Sequence, residues 1–137
     1  MSRGWAVASF IIMGLLLGVT ALPTFIRIVL RSDEIRSRGE QARRRVTKAV
    51  ITTVSQQIDL FKLDHERYPE TLEDLTTAPS YVRLEKFPAG GYLKEYPKDG
   101  WGRRLIYRRG PGKPYQLISY GADGREGGEG TDADIFE

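Results

Sequence analysis

Between Trp5 and Ile26 lie 22 consecutive residues, WAVASFIIMGLLLGVTALPTFI, without one charged side chain. As a helix rising about 1.5 Å per residue, this run would be roughly 33 Å long, close to the hydrocarbon thickness of a bilayer. A backbone inside lipid has to satisfy its own hydrogen bonds, so a single span has to be helical. Pro23, near the end of the run, removes one i→i−4 bond and is expected to bend the helix. Ser9, Thr20 and Thr24 are small and can bond back to the preceding turn. A cleaved secretory signal is the alternative, but its apolar core is shorter, about 7–15 residues, and ends at a small-residue cleavage site. The reading taken is a short leader over residues 1–4 and a retained membrane helix over residues 5–30.

What remains of the 137 residues is enough for one small domain with a modest core. The chain has no cysteine, which excludes disulfides and thiolate metal sites. His65 is its single histidine, which removes most zinc-site and histidine-based catalytic schemes. The formal net charge of +3 conceals an asymmetry. Arg27 to Lys48 carries eight Lys/Arg against three Asp/Glu, net +5, whereas Asp123 to Glu137 carries six acids against Arg125 alone, net −5. A basic stem and an acidic tail are expected to seek different partners. Headgroups attract basic residues near a membrane surface by about 1 kcal/mol each, which suits the stem. The cluster Arg43-Arg44-Arg45 could be read as a nucleic-acid patch; a solvated or headgroup-facing helix surface is the reading taken, with no nucleic-acid partner.

The helical signal continues over residues 31–68. Val46, Val50, Val54, Ile58 and Phe61 form an apolar stripe that Ile51, Leu60 and Leu63 widen, suited to covering a sheet. The helix should end before Pro69, because the residue preceding a proline is pushed out of the α region. Thr71 is then a candidate N-cap for a short helix, with Asp74 three residues on. His65 reads as a surface loop residue. Gly90-Gly91 and Asp99-Gly100 suit tight turns, and Trp101 between two glycines can fold over a turn to cover a small core. Leu105–Tyr107 and Tyr115–Ser119 are short strand-like runs, joined as a hairpin across the longer turn Arg108 to Pro114. Residues 69–137 thus read as loops, a small antiparallel sheet and an acidic tail, and the whole as an α+β chain with a long amino-terminal helical spine packed on that sheet.

The tail holds the chemistry. Six acids in fifteen residues repel one another unless a hard cation sits among them. Calcium takes six to eight oxygens, from carboxylates and carbonyls, in forgiving geometry. Five glycines between Gly121 and Gly130 allow both kinds of oxygen to turn inward. The spacing is not that of an EF-hand. Composition alone equally allows a disordered acidic end, although two strands lead into the segment and Ile135-Phe136 closes it. A hydrolytic carboxylate pair among Asp123, Glu126, Glu129 and Asp132 would need a substrate cleft, and nothing in so small a domain suggests one.

Three stretches in order resemble the major pseudopilins of type II secretion systems. FKLDHERYP with Thr71, Leu72 and Leu75 resembles the family's "YKLDNxRYP-T" segment. Residues 90–102, GGYLKEYPKDGWG, resemble "GGYLKxxPxDPWG", with Gly100 where the family has a proline. Residues 119–135, SYGADGREGGEGTDADI, resemble "SLGADGxxGGEGxxADI" almost throughout. The resemblance covers Leu60 to Ile135; before Arg45 it is a matter of layout. It implies a non-enzymatic filament subunit whose tail loop binds Ca2+. The side-chain ligands expected are Asp123, Asp132 and Asp134, with the carbonyls of Tyr120 and Arg125; Glu126 and Glu129 are less favoured.

The resemblance further implies cutting by a prepilin peptidase after Gly4 and methylation at Trp5. It also implies self-polymerisation through the amino-terminal helix, and contact with minor pseudopilins and an inner-membrane assembly platform. The location implied is the bacterial inner membrane, single-pass, with a periplasmic carboxy-terminal domain. Besides Gly100, two features depart from it. Ser9 stands where such families carry a glutamate, five residues after the cut. The basic excess after the span, taken alone, would put the domain in the cytoplasm. Ser9 and the arginine stem suit an alternative, a membrane-anchored calcium-binding module that never polymerises.

Overall fold

The computed structural model describes the backbone of residues 4–110 and 112–137, with the side chains of residues 31, 34–110 and 112–137. Residues 1–3 of the expected leader, and the side chains of residues 5–30 over which the membrane span is expected, lie outside the described residues. Among the described residues no helix is long and apolar enough to cross a membrane.

One α-helix, α1, runs Gly4–His65, and the chain divides into two compact units, Met1–Gly39 and Glu40–Glu137. The first is helical from Gly4 on, and its described side chains are solvated: Ile35 is exposed and Arg38 pairs with Glu34 one turn away. The second unit holds everything else. In it α1 stops at His65, three residues short of the expected end, because Glu66 turns to a left-handed φ of 60°. Two 3-10 turns follow, Glu73–Leu75 and Leu84–Lys86, then β1 (Ile106–Gly110), β2 (Lys113–Ser119) and β3 (Ile135–Phe136). The strands make one antiparallel sheet in the order β1-β2-β3. The hairpin is tighter than expected, with pairing carried out to Gly110 opposite Lys113.

The helix packs on this sheet through Ile51, Val54, Ile58 and Phe61, which are buried with Leu72, Leu75, Leu105, Leu117 and Ile135. Residues three and four apart share one helix face, so these four form a single seam. The seam is rotated from the expected stripe. Val46 is 53% exposed and Leu63 76%, while the buried partner one turn before Ile51 is Thr47, fully enclosed. A threonine is tolerated there because its hydroxyl is satisfied twice: Oγ1 donates to the Arg43 carbonyl (2.9 Å) and accepts the Gly100 N–H (2.9 Å). Thr71 does not cap the first 3-10 turn. Asp74 instead ties down the chain before that turn, its carboxylate accepting the N–H groups of Glu70 (2.8 Å) and Thr71 (3.0 Å) and the hydroxyl of Tyr81.

The tryptophan turn docks on the helix by close backbone approach. A Cβ at Gly100 would overlap the Arg43 carbonyl, so only glycine lets this turn lie against α1. Trp101 packs against the core edge, and its indole N–H donates to Glu40 Oε2 (2.9 Å). Asp99, buried, ties the turn to the sheet by accepting the N–H groups of Trp101 and Arg103 and the Ser119 hydroxyl (2.9, 2.9 and 2.7 Å).

His65 is not a loop residue but the last residue of α1, with its ring 4.6 Å from that of Phe61. Tyr92 donates to Asp64 Oδ2 (2.7 Å), and its oxygen lies 3.1 Å from His65 Nε2. Burial pushes the His65 pKa below 6.5; neighbouring Asp64 opposes the shift and Lys86 adds to it.

Two outcomes follow. Replacing Gly100 by the family's proline removes the N–H bonded to Thr47 and drives a ring into the Arg43 backbone. Gly100→Pro should lower the unfolding free energy by at least about 1–3 kcal/mol in urea titration; an unchanged midpoint would contradict this docking. A histidine with a lowered folded pKa binds fewer protons folded than unfolded. Its contribution is complete above pH 6.5 and declines as pH falls from there through the folded value. His65→Gln should flatten the urea midpoint between pH 5 and 7 relative to wild type, and equal pH profiles would refute the assignment.

Candidate metal centre

The acidic loop joins β2 to β3. Gly121, Gly124, Gly127, Gly128 and Gly130 all have positive φ, between 60° and 96°, so the expected curling of the chain through its glycines is realised. At two of them the need is steric as well. A Cβ on Gly121 or Gly128 would come within 2.6 or 2.8 Å of the Asp132 carbonyl, which both glycines therefore pack against.

Short backbone bonds close the curl. The N–H of Gly124 donates to the Tyr120 carbonyl (3.1 Å), that of Ala122 to Thr131 (3.2 Å) and that of Asp132 to Glu129 (3.1 Å). Gly127 and Asp134 clasp each other: the Asp134 N–H donates to the Gly127 carbonyl (3.2 Å) and the Gly127 N–H to Asp134 Oδ2 (3.0 Å). The other oxygen of that carboxylate, Oδ1, is buried and has no hydrogen-bond partner. A desolvated, unpaired carboxylate oxygen is costly, at least about 1–3 kcal/mol, and calls for a ligand.

The expected donors are placed as follows. Asp123 is exposed, and its Oδ1 accepts the Arg125 N–H (3.0 Å). The Tyr120 carbonyl lies in the turn closed by Gly124, while Asp132 and Asp134 are half-buried on the returning limb. Among the described residues no three acidic or histidine side chains come together as a metal-holding group, so the three aspartates do not converge on one point. The donor set nonetheless fits a hard cation in kind. It offers oxygen alone, in the mixture of carboxylate and carbonyl that calcium accepts, and one buried carboxylate oxygen is unclaimed. Glu126 lies outside the curl, bonded to Arg108 (3.1 Å), which holds its carboxyl below the usual range.

The stem and tail meet each other, contrary to the expectation of separate partners. Arg44 Nη1 donates to the carbonyls of Thr131 (3.3 Å) and Ala133 (2.9 Å), on either side of Asp132. From the opposite limb, Arg103 donates to the carbonyls of Gly121 (Nη1, 2.6 Å) and Ala122 (Nη2, 2.7 Å). Arg44 stood in the sequence as one of three arginines on a solvated surface; here Arg43 pairs with Glu40 (3.2 Å) while Arg44 turns to the loop. Nothing in the sequence around Arg103 marks it as a loop contact. The available signal was the opposed charge of stem and tail within one chain.

A family model described as "Type II secretion system (T2SS), protein G" matches residues 34–137. The chain is similar to the type II secretion system core protein G of Pseudomonas aeruginosa, 34% identical over 137 residues, covering 96% of this chain and 92% of the relative. The corresponding protein of Vibrio cholerae is 42% identical over 89 residues, 62% of this chain and 61% of the relative. That of Xanthomonas campestris is 30% identical over 138 residues, 96% and 87%. Among solved structures, the major pseudopilin from the type 2 secretion system of enterohaemorrhagic Escherichia coli shares the fold. Its TM-score is 0.54 at 27% identity, over 70% of this chain and 86% of that one.

Proposed function

We propose, because this chain belongs to the protein G family of type II secretion systems, that it is a structural subunit of a type II secretion pseudopilus. The observation that carries the reading is the extent of the match, residues 34–137, which takes in the whole helix-on-sheet unit and the acidic loop. Fold agreement with a solved major pseudopilin supports it. The family is structural and not enzymatic, and its members work with the cell envelope.

In the finer reading the apolar helix anchors the free subunit in the inner membrane, single-pass, with the folded domain in the periplasm. It then polymerises with copies of itself, replacing lipid contact by helix-to-helix packing in the filament. Prepilin peptidase cuts after Gly4, and Trp5 becomes the methylated amino terminus. Minor pseudopilins and the inner-membrane platform are the assembly partners. Asp123, Asp132 and Asp134 hold Ca2+ with the carbonyls of Tyr120 and Arg125. When bound, the ion would offset the charge of a loop that carries five acids against Arg125 alone. The unclaimed oxygen of Asp134 is what supports that assignment.

Ser9 in place of the family's glutamate favours one other reading, an anchored calcium-binding module that does not polymerise. Shear fractions from cells bearing a type II secretion system separate the two. A filament subunit pellets in the sheared fraction with its amino terminus at Trp5; an uncut protein found wholly in membranes would rule polymerisation out. The metal is tested on the full chain in detergent by thermal unfolding with calcium, magnesium or chelator. At a hundredfold excess over the dissociation constant calcium should add about 2.7 kcal/mol, a rise of order 10 °C or more. Asp134→Ala should abolish that rise. No calcium shift in the wild type would refute the metal assignment.

A further inference from the structure

Arg44 and Arg103 grip the acidic loop without contributing a single oxygen to it. Both spend their donors on main-chain carbonyls: Gly121 and Ala122 on the outgoing limb, Thr131 and Ala133 on the returning one. None of the loop carboxylates is used. That choice matters, since a guanidinium paired with Asp123, Asp132 or Asp134 would compete with a cation for the same oxygens. Guanidinium on carbonyl leaves the carboxylates of Asp123, Asp132 and Asp134 unpaired with either arginine.

The Arg103 grip is built rather than incidental. Its backbone is fixed by the tight turn in which Asp99 Oδ1 accepts the Arg103 N–H (2.9 Å) and the Arg103 carbonyl accepts the Asp99 N–H (2.8 Å). Its guanidinium then lies across Gly124, where a Cβ would meet Nε at 2.8 Å and Cζ at 2.9 Å. Two NH2 groups on two successive carbonyls is the planar fork that only arginine offers; a lysine reaches one carbonyl as a point charge. Arg44 closes from the helix side, with its Nη1 shared between the carbonyls flanking Asp132.

We propose that Arg44 and Arg103 are positioning residues for divalent-cation binding. They clamp the two limbs of the loop, so that its main chain is already ordered when calcium arrives and only side chains have to close on the ion. This rests on the reading of the tail as a calcium loop. A preorganised loop does not have to be ordered at the moment of binding, which raises affinity without any new contact to the ion. The positive charges by themselves act the other way, because they repel calcium. Substitution by lysine separates the two effects: charge is kept and the fork is lost.

The test is calorimetric titration of calcium into the full chain in detergent, comparing wild type with Arg103→Lys, Arg44→Lys and Gly124→Ala. The last keeps every arginine and carboxylate but strains the backbone at Gly124 (φ 69°) as well as displacing the Arg103 fork, so it is read only beside the two lysine variants. Each substitution should raise the dissociation constant about tenfold, while the chelated proteins retain wild-type helix content by circular dichroism. A general structural role would lower the chelated unfolding midpoint and leave the dissociation constant unmoved. Wild-type affinity in the folded lysine variants overturns the clamp and leaves the calcium reading intact. Absence of binding in the wild type overturns both. Should Arg103→Lys fail to fold, Arg44→Lys alone decides, because its side chain leaves from a helix.

Discussion

The second unit depends on one seam, the burial of Ile51, Val54, Ile58 and Phe61 of α1 against Leu105, Leu117 and Ile135 of the sheet region. Three short strands, one of only two residues, cannot stand alone in water. They become stable because a helix face covers them. Burial of each such side chain contributes about 1.5–3 kcal/mol, and no other term in so small a domain approaches the sum. The sheet's aromatic flank extends the seam: Tyr107 and Tyr115 stack at 5.8 Å, and the Tyr115 hydroxyl bonds Ser55 of the helix (2.6 Å).

What the seam makes possible is a tail that is folded although its composition favours solvent. β3 is the only strand after the acidic loop, and it pairs with β2 through Ile135 opposite Ser119 and Phe136 opposite Ile118. Pinning both ends of a loop to one strand fixes the distance its glycines have to bridge. The loop's self-repulsion is then met locally, by guanidinium on carbonyl at Arg44 and Arg103 and by the exposed pair Arg108–Glu126. The pair on the surface is worth little in stability, as exposed ion pairs are. The two carbonyl clamps are directional and hold main chain, so they determine shape.

Periodicity made the helix and its sheet partner legible, and the strand pair Ile106–Tyr107 with Tyr115–Ser119 followed from its β-branched and aromatic residues. Periodicity left the rotation of the helix uncertain by one position. Val46 and Leu63 fit a helical stripe as well as Thr47 does not, and nothing local says that a threonine will be enclosed. That depends on a hydrogen bond from Gly100, 53 residues away in the chain. The end of α1 differs from the expected one for a similar reason. Pro69 forbids helix at its predecessor, but the stop comes at Glu66, and His65 is drawn into the Phe61 cluster by packing that sequence spacing does not encode. In the loop, the glycines and the acids were legible as a pattern. The clamps were not, because an arginine in a basic run looks the same whether its guanidinium faces water or a distant carbonyl.

The stretch of helix from Glu40 to Thr47 shows how much of this design is polar. Glu40 receives the Trp101 indole, the Arg43 backbone receives Gly100, Arg44 holds the loop, and Thr47 holds Gly100 again. Two turns of helix thereby join the tryptophan turn and the acidic loop, which are also joined to each other through Arg103. The three contacts form a closed circuit, so the tryptophan turn, the acidic loop and this stretch of helix are each held from two sides. The domain is held on α1 by directional bonds between Glu40 and Thr47 as well as by the small hydrophobic seam.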